Sequence, residues 1–347
     1  MPINAGKALK IDDFAKMRAF AQNLTIRSWC LMSKRKILFI VNPASAGSRT
    51  LARWQDVVPK LDKADLDYSV RFTDSRGCAS RFAKIATVGQ AYDTIVSVGG
   101  DGTANEILNG MMDAGVDFAR LPAFSIFPSG TGSDTVRTLG IPQELDSFVQ
   151  MVEQNVFKSY DVGIVEFTTV DEQTGVRYFL NACDVGLGAA VVNAVNSMNQ
   201  NDVKKSGKAK YFRSIMEQVV KFKAFNAEFV TNGRTVTLKN TVIVAVCNGM
   251  FFGGGVKISP ISQMDDGKLE LVATDNISKI GLMGLVPKVY TGSHAGHPKV
   301  RFQQDESFMV KLAKPQLLET DGEVQGAVSE VMFKNLPQVL RIIIAKN

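Results

Sequence analysis

Carboxylates in glycine-containing turns are the residues of this 347-residue chain best suited to chemistry. Asp101 lies in GGDGTANEILNG and Asp134 in PSGTGSD, and two further turns read DDG at 265–267 and DGE at 321–323. Asp-Gly is a common turn pair, so each motif alone is a weak signal. Together they suit metal-assisted phosphoryl transfer, which needs a held polyphosphate, Mg²⁺ and a carboxylate that accepts the proton of a hydroxyl.

The first glycine turn has the features of a phosphate site. It follows YDTIVSVGG, whose apolar, β-branched residues are typical of a strand buried on both faces, and it leads into a helical pattern. The first turn of a helix attracts anions, and glycines let a phosphate approach the backbone. No lysine follows Gly102, which excludes a Walker loop, and Asn105 replaces the last glycine of the dinucleotide fingerprint. A plain strand-to-helix turn stays the alternative.

The elements that position these turns change in character along the chain. Strand and helix patterns alternate in the first half, which predicts a parallel sheet. Its strands end at Asn42, at Gly99 and at Ser129, and such ends converge on one crevice, where a nucleotide polyphosphate fits. After Lys158, short β-rich segments predict an antiparallel domain, with helical stretches near 204–224 and 278–291.

Composition excludes several classes of protein. The net charge of +6 is mild, and no cationic block interleaved with aromatic residues indicates a nucleic-acid partner. The four cysteines lie far apart without CxxC spacing, which argues against a disulfide framework or zinc ribbon and suits a reducing cytosol. No apolar stretch approaches the ~20 residues that span a bilayer, and no secretory signal precedes Ser33. For His294 and His297 a structural role is favoured over a metal site.

Two basic segments leave alternatives open. In residues 1–33 apolar side chains recur at helical spacing between cations, which is typical of a helix on an anionic membrane. We favour the alternative, an extension upstream of the true start, because the first strand follows directly. Residues 204–223 concentrate lysines among apolar residues, and either a solvated helix face or a face that contacts acidic lipid headgroups explains them.

The motifs, in order and spacing, resemble the prokaryotic diacylglycerol kinase and lipid kinase family, which shares a fold superfamily with NAD kinases and sphingosine kinases. The resemblance covers residues 34–346 and rests on NPASAG, GGDGTANEILNG, PSGTGSD, NACDVGLGAAV, CNGMFFGGGVKISPISQMDDGKLELV and TDGE. It implies a Rossmann-like parallel sheet in an α/β domain, followed by a mainly antiparallel β domain. The organisation expected is an extension at 1–33, a nucleotide-binding domain at 34–158 and a lipid-substrate domain at 159–347.

The resemblance also implies how ATP would be bound. The loop after the third strand would hold the nucleotide together with one residue that follows the first strand and one that follows the fourth. An acidic residue comes directly after that loop, in the first turn of the helix. These residues are Asn42, Gly99, Gly100, Asp101, Gly102, Thr103, Asn105, Glu106 and Thr131.

Roles for the acidic turns follow from the same resemblance. Asp101, Asp134 and Asp321 would organise the water and Mg²⁺ network around the phosphates. Either Asp321 or Glu323 would accept the proton of the lipid hydroxyl, and the sequence does not separate them.

A second, structural Mg²⁺ would be held at the DDG turn by the Asp266 side chain and the carbonyls of Gln263 and Lys268. One position departs from the family pattern: Ser133 stands where the second glycine turn usually has asparagine. Because serine still forms hydrogen bonds, we expect altered positioning there and not lost activity.

The function implied is an ATP- and Mg²⁺-dependent lipid kinase in the cytosol, peripherally associated with the inner membrane surface, with diacylglycerol as the expected acceptor. A homodimer is compatible with the superfamily. Kinases of a soluble acceptor, as in NAD kinases, or of another lipid, such as a sphingoid base, are the alternatives, and a non-catalytic sensor is a third reading.

Overall fold

The computed structural model describes residues 34–129, 133–197 and 216–346. Within these ranges the first half forms four parallel strands with helices between them. The strands are β1 (Lys36–Val41), β2 (Asp67–Phe72), β3 (Thr94–Gly99) and β4 (Ala123–Pro128), and the helices are α1 (Arg49–Lys63), α2 (Cys78–Gly89), α3 (Asp101–Met112), α4 (Asp134–Leu139) and α5 (Leu145–Gln154). Short 3-10 turns lie at Ser45–Ser48 and Phe118–Arg120.

The second half is dominated by antiparallel strands. They are β5 (Phe157–Thr169), β6 (Thr174–Phe179), β7 (Ala182–Gly186), β8 (Phe225–Thr231), β9 (Arg234–Thr241), β10 (Ile243–Cys247), β11 (Leu269–Thr274), β12 (Val300–Asp305), β13 (Ser307–Thr320) and β14 (Glu323–Ile343). Helix α6 is Leu187–Asn196, helix α7 is Lys279–Thr291, residues 216–221 are helical, and a 3-10 turn covers Ser293–Gly296.

Hydrogen bonds join these strands into one mixed sheet. Its central path runs β12-β11-β10-β7-β13-β14-β4-β3-β1-β2, and β1 to β4 are mutually parallel. Strand β14 pairs antiparallel with β13 and β5 and meets β4 in parallel at Ile342 and Phe124. The predicted fold class, a parallel α/β region followed by antiparallel strands, is confirmed.

The two largest apolar cores lie on the two parts of this sheet. Every residue of β3 is buried, as its uninterrupted apolar pattern predicts, and Phe39, Phe124 and Phe127 fill the core around it. A second core, with Phe308 and Phe333 at its centre, lies among the antiparallel strands. The sheet thus fixes the carboxyl ends of β1, β3 and β4 at one edge.

The predicted helix near 278–291 is confirmed as α7. Of the stretch near 204–224, only residues after 215 lie in the described part, and 216–221 are helical there. Residues 1–33, with their predicted extension, lie outside it. The boundary predicted near residue 158 falls at the start of β5, which pairs along β14, and it stays a prediction.

Candidate active site

The carboxyl ends of β1 and β3 are joined by side-chain hydrogen bonds. Asn42, directly after β1, donates from Nδ2 to Thr103 Oγ1 at 3.1 Å, and its backbone N–H donates to the Val98 carbonyl at 2.8 Å. A Cβ added to Gly99 would lie 2.4 Å from Thr103 Oγ1, so only glycine fits there. The sequence motif is therefore a close-packed turn into α3.

Asp101 opens α3 and is anchored by the start of α4. Its carboxylate accepts hydrogen bonds from the Ser133 hydroxyl (2.9 Å), the Asp134 N–H (3.0 Å), and the Thr135 N–H (3.1 Å) and hydroxyl (2.9 Å). Ser133 also caps α4 by accepting from the Val136 N–H. The serine that departs from the family pattern thus contributes to holding Asp101.

Asp134 connects α4 to the glycine-rich loop of the second half. Its carboxylate accepts from Arg137 Nη1 at 2.9 Å and from the Gly254 N–H at 2.7 Å. Burial, with a smaller contribution from the Asp101 charge, raises the pKa of Asp134 to about 6. A Cβ on Gly255 would lie 2.7 Å from Arg137 Nη1, so the loop packs directly onto this arginine.

Asp321 is surrounded by hydrogen-bond donors. Asn105 Nδ2 (3.0 Å) and the backbone N–H groups of Leu180 (2.8 Å), Asn181 (3.0 Å) and Ala182 (3.1 Å) all donate to its carboxylate. Removal from water raises the pKa of Asp321 to about 6, although these four donors oppose the shift. Two donors on each oxygen fill the lone pairs of the carboxylate, so its geometry is that of an anchor.

A continuous chain of hydrogen bonds links the first and third of these aspartates. Thr135 Oγ1 contacts Asp101 at 2.9 Å and Asn181 Nδ2 at 2.6 Å, and the Asn181 N–H reaches Asp321. Asn181 Oδ1 is buried and has no hydrogen-bond partner in the structure. An unpaired buried acceptor is a place for a bound water, so this polar cluster fits the predicted water and Mg²⁺ network.

Glu323 is held less tightly than Asp321. Its Oε2 forms an ion pair with Arg76, and its Oε1 faces the first glycine turn, where a Cβ on Gly102 would lie 3.7 Å away. Partial burial raises the pKa of Glu323, Arg76 lowers it, and the charge of Glu106 raises it. Glu106 itself accepts from the Gly77 N–H at 3.1 Å. Glu323 thus presents an oxygen toward the turn predicted to hold phosphates.

Arg76 is a site residue that the sequence analysis missed. It lies in the loop between β2 and α2, and its guanidinium is mostly exposed apart from the ion pair with Glu323. The signal that could have found it is that β2 is also a parallel strand, so the loop after it must lie at the same edge of the sheet as the loops after β1 and β3. An arginine at that position suits the binding of phosphate oxygens.

A buried pair of acids beneath the DGE turn was also missed. Asp184 and Glu319 are almost fully buried and lie close enough for a hydrogen bond, which forms when one of the two carries a proton. Asp184 also accepts from the Ala189 N–H in α6, and Glu319 from the Gly322 N–H at 2.7 Å. Burial raises both pKa values, to about 6 for Asp184. The available signal was an acid inside the apolar segment NACDVGLG.

The DDG turn offers one carboxylate for the predicted structural Mg²⁺. Asp266 accepts from the Lys268 N–H at 3.0 Å and from Gln304 Nε2 at 2.9 Å, while neighbouring Asp265 pairs with Lys158. Among the described residues no three His, Cys, Asp or Glu side chains group as metal ligands. A single carboxylate with backbone carbonyls still suits Mg²⁺, which keeps several waters, so the residues fit.

The predicted site residues are thus largely brought together. Asp101, Asp134 and Asp321 lie in one connected polar cluster. Asn42 bonds to Thr103 in the glycine turn that also carries Asp101, and Glu323 faces this turn. Thr131 lies outside the described residues. The DDG turn belongs to a separate loop, and ligand binding at all of these positions stays a prediction.

Comparison with known proteins identifies the relatives. A model of the diacylglycerol kinase catalytic domain matches residues 36–165, and a model of the YegS C-terminal NAD kinase beta sandwich-like domain matches residues 181–344. Along both halves the chain is thus similar to diacylglycerol kinase-like proteins. The chain is 26% identical to a diacylglycerol kinase of Staphylococcus saprophyticus over 89% of its own length and 95% of the relative's.

Other similar proteins carry the same name. A diacylglycerol kinase of Bacillus subtilis is 25% identical over 91% of this chain and 97% of that protein. A solved diacylglycerol kinase structure from Bacillus anthracis superposes with a TM-score of 0.65 at 20% identity, covering 90% of this chain and 98% of the other. The structural likeness shows the fold, and the relatives' names support a kinase. No helix among the described residues has the length and apolarity to cross a bilayer.

Proposed function

We propose that the protein is an ATP- and Mg²⁺-dependent lipid kinase that transfers the γ-phosphate of ATP to a lipid hydroxyl, with diacylglycerol as the acceptor. The observation that carries this proposal is the position of Glu323, whose Oε1 faces Gly102 across the site. A carboxylate opposite a glycine turn at a helix N-terminus can take the proton of a hydroxyl that attacks a phosphate held by that turn.

Of the two candidate bases, the geometry supports Glu323. Four donors occupy the carboxylate of Asp321, so a substrate hydroxyl would have to displace one of them. Glu323 has one ion-pair partner, Arg76, on Oε2 and directs Oε1 at the glycine turn. In the reaction the lipid oxygen would bond to the γ-phosphorus, its proton would pass to Glu323, and ADP would leave.

The other residues bind and orient. The turn Gly99 to Asn105, together with Asn42, would hold ATP, and Asp101, Asp134 and Asp321 would fix the polar network that receives the phosphates. Mg²⁺, when bound, would neutralise charge on the phosphates. The DDG turn would hold a second ion through Asp266 and the carbonyls of Gln263 and Lys268.

Diacylglycerol is proposed because the relatives at about a quarter identity carry that name. A lipid acceptor places the protein at a membrane surface, so we propose a cytosolic protein peripherally bound to the inner membrane. A homodimer is compatible with this arrangement.

The test is a panel of acceptors incubated with the purified protein, Mg²⁺ and γ-labelled ATP in mixed micelles. The panel contains diacylglycerol, monoacylglycerol, phosphatidylglycerol, a sphingoid base and NAD, and products are separated by thin-layer chromatography. Label on diacylglycerol supports the proposal. Label on another lipid would change the acceptor, label on NAD alone would make the protein a soluble-acceptor kinase, and no label would overturn the kinase proposal.

A further inference from the structure

Helix α7 (Lys279–Thr291) is apolar on two faces, and only one of these faces packs against other residues that the structure describes. Leu282 and Leu285 are buried in a small core with Leu187 of α6 and Val219. Packing in this core explains why the inner face of α7 is apolar. The large apolar side chains on the outer face are exposed, so packing does not explain them.

The outer face forms a continuous stripe. Ile280, Met283, Pro287 and Tyr290 are exposed, and their spacing of three, four and three residues places them along one side of the helix. Ile280 is the most exposed large apolar residue described, at 85%. A single exposed apolar residue is ordinary, but an aligned row of them marks a surface that binds something.

Cations border this stripe on both sides. Lys279 and Lys288 lie on opposite flanks of the helix, and α7 contains no acidic residue. Lys279 Nζ donates to the Val220 carbonyl at 2.9 Å, which places the exposed Val220 next to the first turn of α7. Exposed Lys223 follows three residues later in the chain. We name Val220, Lys223 and the outer face of α7 the α7 surface.

We propose that the α7 surface docks on an anionic lipid bilayer, with Ile280, Met283 and Tyr290 in the interface and the lysines at the headgroups. An apolar stripe flanked by cations is the pattern of a helix that lies in a membrane interface. This inference deepens the proposed lipid kinase function, because it names the surface from which an acceptor would be reached.

A second copy of the chain fits the α7 surface less well. A 13-residue helix is ~20 Å long and ~10 Å wide, so one face offers about 200 Å², against roughly 800 Å² per partner in a stable interface. In a two-fold dimer the same patch meets itself, so the flanking lysines would face each other. Anionic headgroups instead neutralise them.

The α7 surface is one loop away from the candidate active site. The Lys257 N–H donates to the Val289 carbonyl at 2.9 Å near the end of α7. The same loop carries Gly254, whose N–H bonds to Asp134 in the site. Docking of α7 would therefore bring this glycine-rich loop and the mouth of the site close to the lipid.

The experiment is vesicle co-sedimentation of the full chain, with phosphatidylglycerol–phosphatidylcholine vesicles compared with phosphatidylcholine alone. Ile280→Asp places a charge in the interface, and we expect vesicle binding to fall at least ~10-fold because one buried isoleucine is lost. The matched control is Ile85→Asp in α2, an exposed helical isoleucine at 64%, which should bind like wild type. Lys288→Glu should weaken binding to the anionic vesicles only.

Equal binding of Ile280→Asp and wild type would overturn the proposal and place the docking surface elsewhere. A dimer by light scattering that Ile280→Asp converts to monomer, with vesicle binding unchanged, would assign the α7 surface to a second copy. Phosphorylation of a short-chain, water-soluble diacylglycerol without vesicles separates the two proposals. If the wild-type protein does not phosphorylate this soluble acceptor, the kinase proposal is contradicted. If Ile280→Asp phosphorylates the soluble acceptor but does not bind vesicles, the docking proposal is supported.

Discussion

The acidic turns on the two sides of the candidate site hold their carboxylates differently. Asp101 in the parallel region and Asp321 in the antiparallel region are each enclosed by four donors from neighbouring backbone and side chains. Glu323, only two residues after Asp321, has a single ion pair with Arg76. The number of donors, and not the presence of an acid in a glycine turn, therefore separates an anchor from a group able to accept a proton.

The largest expected effect comes from Glu323→Gln. Because glutamine keeps the size but cannot take a proton, we expect phosphate transfer to slow by about 10² to 10⁴-fold. The free energy of unfolding should change little, since Glu323 is held by one partly exposed ion pair. The measurements are kcat with ATP and diacylglycerol, and denaturant unfolding.

Glu330→Gln is the matched control. Glu330 lies on the same strand, β14, and forms an exposed ion pair with Lys311 at 3.1 Å. Its substitution should leave both kcat and stability at the wild-type level. A comparable loss of activity in Glu330→Gln would mean that a changed charge on β14, and not a lost base, lowers the rate.

The next effect is on stability and comes from Asp321→Asn. The new amide sets an NH₂ group against two of the N–H donors that now bond to the carboxylate, which should cost about 1 to 3 kcal/mol of unfolding free energy. Urea unfolding of the variant beside wild type and Glu323→Gln measures it. An unchanged midpoint would show that Asp321 is no anchor.

A smaller effect concerns the buried pair of Asp184 and Glu319. A carboxyl whose pKa is raised in the folded state gives stability that is present below its unfolded pKa and lost as the pH rises through the folded value, here about 6 for Asp184. We therefore expect the free energy of unfolding to fall between about pH 4 and pH 7. Asp184→Asn should remove the part of this fall that Asp184 contributes, about 1.4 kcal/mol for each unit by which its pKa is raised. Identical slopes in variant and wild type would contradict the raised pKa.

The smallest effect is expected from Arg76→Ala. Since Arg76 lowers the pKa of Glu323, its removal should raise that pKa and move the acid limb of the kcat/KM profile to higher pH. Arg71→Ala, at an exposed position on β2, is the control and should keep the wild-type profile. If the acid limb of the Arg76→Ala profile stays at the wild-type pH, the titration of Glu323 does not set that limb.

Sequence patterns predict the parallel part of the fold well because its signals are local. The apolar segment of β3 and the glycines after it specify a buried strand and a tight turn without reference to other residues. The convergence of Asn42 with Thr103 then follows from the topology of parallel sheets. The candidate phosphate side of the site was therefore predictable.

The rest depends on contacts between distant segments. Arg76 and Glu323 are 247 residues apart in the chain, and Asp184 and Glu319 are 135 residues apart. Neither pair therefore forms a short sequence motif that could be recognised. The two acids of the DGE turn look equivalent in sequence. They differ because Leu180, Asn181 and Ala182 direct their N–H groups at Asp321.

The most direct test is single-turnover transfer of the labelled γ-phosphate to diacylglycerol by Glu323→Gln and Asp321→Asn, with ATP affinity and unfolding measured on the same samples. The account predicts that Glu323→Gln binds ATP and unfolds like wild type but transfers phosphate at least ~100-fold more slowly. Asp321→Asn should be the less stable protein. Wild-type transfer by Glu323→Gln, together with loss of transfer in a fully stable Asp321→Asn, would contradict it.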